Sequence, residues 1–148
     1  MKRTAQDIIN LIKENDIKMV DFKVVDINGQ FRHVTIPASQ FNEDTMRDGI
    51  GFDASNYGYA VVEKSDMVFI PDPDTAVIDP FCEIPTLSMT GNAMIIDYPN
   101  NRPLAQYPRN IVQAAEQYMK DCDIADTMLI LPEFEFHMFD QAGWSVEP

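Results

Sequence analysis

Cysteine is scarce in this chain. There are two, Cys82 and Cys122, far apart and in no metal-binding spacing. A reduced compartment is the simplest reading, and a cytoplasmic setting is the expectation. Positive charge is also in short supply: 11 Lys and Arg stand against 24 Asp and Glu, for a formal net charge of -13. That balance argues against nucleic acid or an anionic membrane surface as partner, since both are anionic. It does not oppose divalent cations or ammonium. Long apolar runs are missing too. Nothing approaches the ~18 apolar residues of a membrane span, and no apolar run follows Lys2-Arg3, so no signal peptide is expected. Glycine numbers only 6, and no Gly-rich phosphate loop is present.

What is there fits one domain, or one small domain and the opening of another, at 148 residues. The hydrophobic fraction of 45% is ordinary for a globular core. Most of the acidic side chains read as a solvated surface. Thr4 and Asp7 mark a helix start, and Ile8, Leu11 and Ile12 form its apolar stripe, ending near Asn15. Val20, Phe22 and Val24 then alternate with Asp21 and Lys23, and Asn28-Gly29 supplies the positive-φ pair of a tight hairpin turn. Phe31 to Ile36 returns as the partner strand. Ser39 to Arg47 reads as a short helix closed by Gly49.

Residues 49–66 are rich in glycine and small polar residues but carry Ile50, Phe52, Tyr57 and Tyr59, so they predict an ordered loop. Short strands are expected at Met67 to Ile70, Ala76 to Ile78 and Met94 to Asp97, with turns at Pro71-Asp72-Pro73-Asp74 and Asn100-Asn101. Pro108 suits the first turn of a helix, and Ile111, Ala114, Ala115, Tyr118 and Met119 continue it at helical spacing. Thr127 to Phe139 reads as one long strand. The pattern is α+β, with a boundary near residues 100–106.

That last strand carries the chemistry. Leu129, Leu131, Glu133, Glu135 and His137 share one face, and Ile130, Pro132, Phe134, Phe136 and Met138 the other. Both faces are apolar at the start, as in a buried strand. A carboxylate on such a strand needs a cation or several donors. Same-face neighbours lie about 7 Å apart, so Glu133 and Glu135 could each bind a metal ion, at a separation compatible with two-metal phosphoryl chemistry. The alternative is a strand leaving the core with both glutamates in water, which is the commoner outcome for the pattern alone. His137 by itself is more often solvated or satisfied than a ligand.

Pro132-Glu133-Phe134-Glu135-Phe136 resembles the Pro-Glu-X-Glu-Phe motif of the glutamine synthetases. Phe52-Asp53-Ala54-Ser55-Asn56 is similar to that family's Phe-Asp-Gly-Ser-Ser loop. Ser65-Asp66-Met67, then Pro71-Asp72-Pro73-Asp74-Thr75, is similar to its Ser-Asp-Met and Pro-Asp-Pro-X-Thr elements. Pro108-Arg109 resembles its Asp-Pro-Arg helix start. The resemblance spans nearly the whole chain.

It implies a β-grasp N-terminal domain over residues 1–103 and the first helix and strand of a catalytic domain over 104–148. It implies a ligase that makes glutamine from glutamate, ammonium and ATP through a γ-glutamyl phosphate, with Mg²⁺ or Mn²⁺ as cofactor. Glu133 and Glu135 would each ligate one ion. Asp53 would hold ammonium and accept its proton, and Asp66 would support the same loop. The family's sites lie between subunits of homo-oligomeric rings, commonly dodecamers, which would explain bulky residues in the 49–66 loop as partner contacts. Ala54 and Asn56 depart from the usual glycine and serine, and leave room for a sister ligase that joins glutamate to a polyamine or other amine. The remaining metal ligands, the nucleotide pocket and the glutamate-binding residues would lie beyond Pro148, so the 148 residues are expected to be an inactive fragment. A stand-alone β-grasp interaction module is the reading from a different class.

Overall fold

A computed structural model describes residues 2–146. Helix α1 (Ala5–Glu14) starts as the sequence indicates: Thr4 Oγ1 accepts from the Asp7 N–H, and the Asp7 carboxylate accepts from the Thr4 N–H, satisfying two donors that no helical carbonyl can reach. Ile8 is fully buried, with Ile9, Leu11 and Ile12 packed around it.

Strands β1 (Met19–Val25) and β2 (Phe31–Pro37) pair antiparallel, Phe22 opposite Val34 and Val25 opposite Phe31. Their connection is not the two-residue turn expected at Asn28-Gly29. It runs from Asp26 to Gln30, and only Gly29 has positive φ, at 84°. The buried Asp26 carboxylate builds it, accepting from the Asn28 and Gln30 N–H groups at 2.9 Å each. An acid that can accept several backbone donors favours this wider loop over a tight turn.

The single helix expected over 39–47 is split. A 3₁₀ turn covers Ala38–Gln40, Phe41 then dips into the core, and α2 (Glu43–Asp48) restarts with Asn42 as its cap. Gly49 closes it at φ 78°, where a Cβ would sit 2.4 Å from the Phe69 carbonyl oxygen. Strands β3 (Ile50–Asp53), β4 (Asp66–Pro71), β5 (Val77–Ile78), β6 (Thr86–Met89), β7 (Gly91–Ile95) and β8 (Arg102–Pro103) follow. They complete two four-stranded sheets, ordered β2-β1-β6-β5 and β3-β4-β7-β8. β1 and β6 run parallel. β6 has no alternating signature because all of its residues are buried, and the sequence reading passes over it.

The sheets share one core. Phe22 of β1 meets Phe69 of β4 edge to face at 6.3 Å and stacks on Phe41 at 6.5 Å. Burying a side chain of this size contributes about 1.5–3 kcal/mol. Leu104, Tyr107 and Asn110 extend the core into the start of α3 (Pro108–Asp121).

After Asn110 the packing stops. Ile111, Val112 and Tyr118 are exposed, and residues 127–139, expected as a strand, form none. A strand is defined by ladder partners, and among the described residues none pairs with this segment. No helix of the described residues is long and apolar enough to cross a membrane. The fold class is α+β, as the sequence indicates.

Candidate functional site

Asp53 and Asp66 come together. The antiparallel register of β3 and β4 places them directly opposite each other, at the mouth of the loop between those strands. That loop is ordered by its own short-range chemistry. Asp53 caps the 3₁₀ turn Ala54–Tyr57 through Oδ1, which accepts from the Ser55 N–H (2.9 Å) and the Ser55 hydroxyl (2.6 Å). Ala54 is fully buried, and its N–H donates to the Ser65 carbonyl at 2.8 Å. Gly58 is left-handed, and a Cβ there would meet Ile27 at 2.5 Å.

The aromatic residues of this loop belong to the chain's own core. Phe52 is buried and meets Tyr57 edge to face at 5.3 Å; Tyr59 packs on Tyr107 at 5.9 Å and donates its hydroxyl to the Val25 carbonyl. Packing within the chain accounts for these side chains whether or not a partner also covers them. Burial pushes the Tyr59 hydroxyl up to about 12.

The Ser55 hydroxyl, with the Ser55 N–H, holds the Asp53 carboxyl below the usual carboxylate range. Ser65 also lies near, but its one hydroxyl proton goes to the Val62 carbonyl at 2.9 Å, so the Ser55 contacts account for the shift. A carboxylate held ionised in this way is a good counter-ion for an ammonium group and a weaker base than a free aspartate. Asp66 is exposed.

Asp53 lines a cavity of about 670 Å³ together with Phe31, Arg32, Phe52, Asn56 and Tyr57. The Ile27 N–H donates to the Tyr57 carbonyl at 2.9 Å, which ties the β1–β2 connection to the Asp53 loop and brings Phe31 and Arg32 alongside. The sequence reading passes over these two residues. They follow a turn directly, and only the fold shows which loop that turn touches.

Glu133 and Glu135 are not part of this site. Both are exposed in the irregular segment after α3. Among the described residues no group of three or more His, Cys, Asp or Glu side chains could hold a metal ion. The two carboxylates suit a hard cation, but alone they do not make a coordination sphere.

Residues 16–95 match the family model for the glutamine synthetase β-grasp domain. The chain belongs to the glutamine synthetase family. It is 40% identical over 143 residues to a glutamine synthetase of Vibrio cholerae, covering 96% of this chain and 30% of that protein. It is 39% identical over 148 residues to a 3-hydroxylaminophenol mutase of Cupriavidus pinatubonensis, covering 99% of this chain and 31% of that one. This glutamine synthetase family chain therefore spans about a third of the length of the curated relatives it matches. Its fold is that of ligand-free GmaS (TM-score 0.70, 19% identity, 80% of this chain and 27% of that one) and of the Plasmodium falciparum glutamine synthetase (TM-score 0.65, 19% identity, 82% and 24%).

Proposed function

We propose that this chain is the N-terminal part of an ATP-dependent ligase that makes glutamine from glutamate and ammonium by way of a γ-glutamyl phosphate. The observation that carries this is the Asp53 loop: an ionised carboxylate, opposite a second acid, on a turn locked by Ser55, Ala54 and Gly58. In this reading Asp53 binds the ammonium ion and takes up its proton, and Asp66 adds to the negative field beside it. A γ-carboxylate oxygen of glutamate attacks the terminal phosphorus of ATP and ADP leaves. The nitrogen of ammonia then attacks the acyl carbon, and inorganic phosphate leaves.

Glu133 and Glu135 are assigned as carboxylate ligands to Mg²⁺ or Mn²⁺, in a site completed by sequence beyond the described residues. Such ions neutralise charge on a transferring phosphoryl group. The division into a β-grasp unit over 1–103 and the opening of a catalytic unit from 104, assembly into homo-oligomeric rings and a cytoplasmic setting belong to the same proposal. The 148 residues alone are expected to be inactive.

The test is phosphate release that depends on ATP and glutamate, measured on the native polypeptide with ammonium as acceptor. Release without glutamate, or none with any amine, would overturn the reading. A second reading, a γ-glutamyl-amine ligase, is favoured by the aromatic lining beside Asp53; the 39% identity to a mutase named for an aromatic hydroxylamine is in keeping with that lining.

A further inference from the structure

Arg32 faces the same cavity as Asp53 and has no part in the chemistry above. Its Nε–H donates to Asp26 Oδ2 at 2.9 Å. Asp26 is itself buried, and its other oxygen is committed to the Asn28 and Gln30 N–H groups. The guanidinium is thus fixed along one edge. Its two terminal nitrogens make no hydrogen bond among the described residues, and the side chain is 53% exposed. A planar fork held in this way is suited to a carboxylate.

Arg32 and Asp53 form no ion pair with each other among the described residues. Burial pushes the Tyr57 hydroxyl up, and it stands in the field of both groups, the Arg32 cation pulling it down and the Asp53 carboxylate adding to the rise. Phe31, Phe52 and Tyr57 supply the apolar surface around them. The depression is open to solvent, and what its lining offers an amine is a carboxylate and a guanidinium on one apolar wall. A diamine on Asp53 would place its second cation towards the guanidinium. A simple alkylamine would leave the Arg32 donors to water. An amine that also carries a carboxylate satisfies both charges.

We propose that the acceptor amine is zwitterionic, with its ammonium group on Asp53, its carboxylate on Arg32 and an apolar linker against Phe31 and Tyr57. This rests on the second of the two ligase readings, the γ-glutamyl-amine ligase, and names its acceptor class.

The experiment measures ATP- and glutamate-dependent phosphate release by the native polypeptide with ammonium, n-butylamine, putrescine, β-alanine, γ-aminobutyrate and ε-aminocaproate. The best ω-amino acid is expected to exceed n-butylamine in kcat/KM by about tenfold or more, the effect of one charge-assisted hydrogen-bond pair, with putrescine below n-butylamine. Arg32→Gln keeps an N–H for Asp26 and is expected to remove most of that preference, and Arg32→Lys to retain part of it. The ratio within each variant cancels any loss of folded enzyme. Equal use of n-butylamine or putrescine, a ratio unchanged in Arg32→Gln, or a rise in KM for glutamate that is the same with every amine would each overturn the proposal while leaving the ligase reading in place. Absence of release with every amine, ammonium included, would bring down both.

Discussion

Asp79 shows how far a single carboxylate can be committed in this fold. It accepts from Lys23 Nζ at 2.8 Å, from the Phe81 N–H at 3.0 Å and from the Ser88 hydroxyl at 3.0 Å, with the Lys23 hydrogen bond the largest influence in pulling its pKa down to about 2. An unfolded aspartate titrates near 3.9. The group therefore contributes stability that is fully present above about pH 4 and is lost as the pH falls towards 2. The urea midpoint of the wild type should drop more steeply across that window than that of Asp79→Asn. Parallel curves would show that Asp79 is not the source.

Asp53, also held ionised, calls for a kinetic readout. Asp53→Asn keeps an oxygen to accept from Ser55 but removes the charge. It should raise the KM for the amine by more than about tenfold and damage amine use more than acyl-phosphate formation. Equal loss of both would argue against a role in holding the amine. The local motif singles out Asp53 and Asp66 as candidates; their direct opposition is not legible there, because strand register depends on which strands pair.

Among the elements, α3 depends on its first turn. Arg109 donates to Asn92 at 3.0 Å and Thr90 at 3.2 Å and pairs with Asp72, while the Asn110 side-chain amide donates to the carbonyls of Ala93 (2.8 Å) and Leu104 (2.9 Å). Asn110→Leu would remove both side-chain hydrogen bonds, although the Ala93 and Leu104 carbonyls keep the Leu104 and Tyr107 N–H donors; the expected cost is about 0.5–1.5 kcal/mol per bond lost, readable as a lower denaturation midpoint. A change under about 0.5 kcal/mol would mean that the first turn is not what anchors the helix.

Elements that carry their own signals could be read in advance: α1 by its cap and stripe, β1 by alternation, α3 by Pro108 and its spacing. Elements defined by partners could not. β6 is buried on both faces, the Asp26–Gln30 connection is built by a carboxylate, and the 127–139 segment has the composition of a strand without the ladder.

At the scale of the whole molecule, one boundary separates two physical regimes. Up to Asn110 one core gathers most of the large apolar side chains, with Phe22, Phe69 and Tyr107 each under 2% exposed, while Phe81 and Tyr98 stand out in loops. Beyond it, Leu129 is 92% exposed, Phe134 87% and Trp144 91%. An apolar surface of that extent is the signature of an interface that awaits cover. The relatives, about three times as long, have the additional sequence to supply it.

Local opening free energy follows local packing, so chymotrypsin should discriminate sharply along the 148-residue polypeptide. Cleavage at Tyr118, Leu129, Phe134, Phe136, Phe139 and Trp144 should run at least about tenfold faster than at Phe22, Phe69 or Tyr107, with Phe81, exposed between β5 and β6, an early site within the sheet region. In the longer polypeptide that the ligase reading requires, the sites at 129–139 should become resistant as well, because that reading pairs them in a strand. Continued rapid cleavage at those sites would mean that the glutamates at 133 and 135 stay in solvent, and their assignment as metal ligands would fail with it.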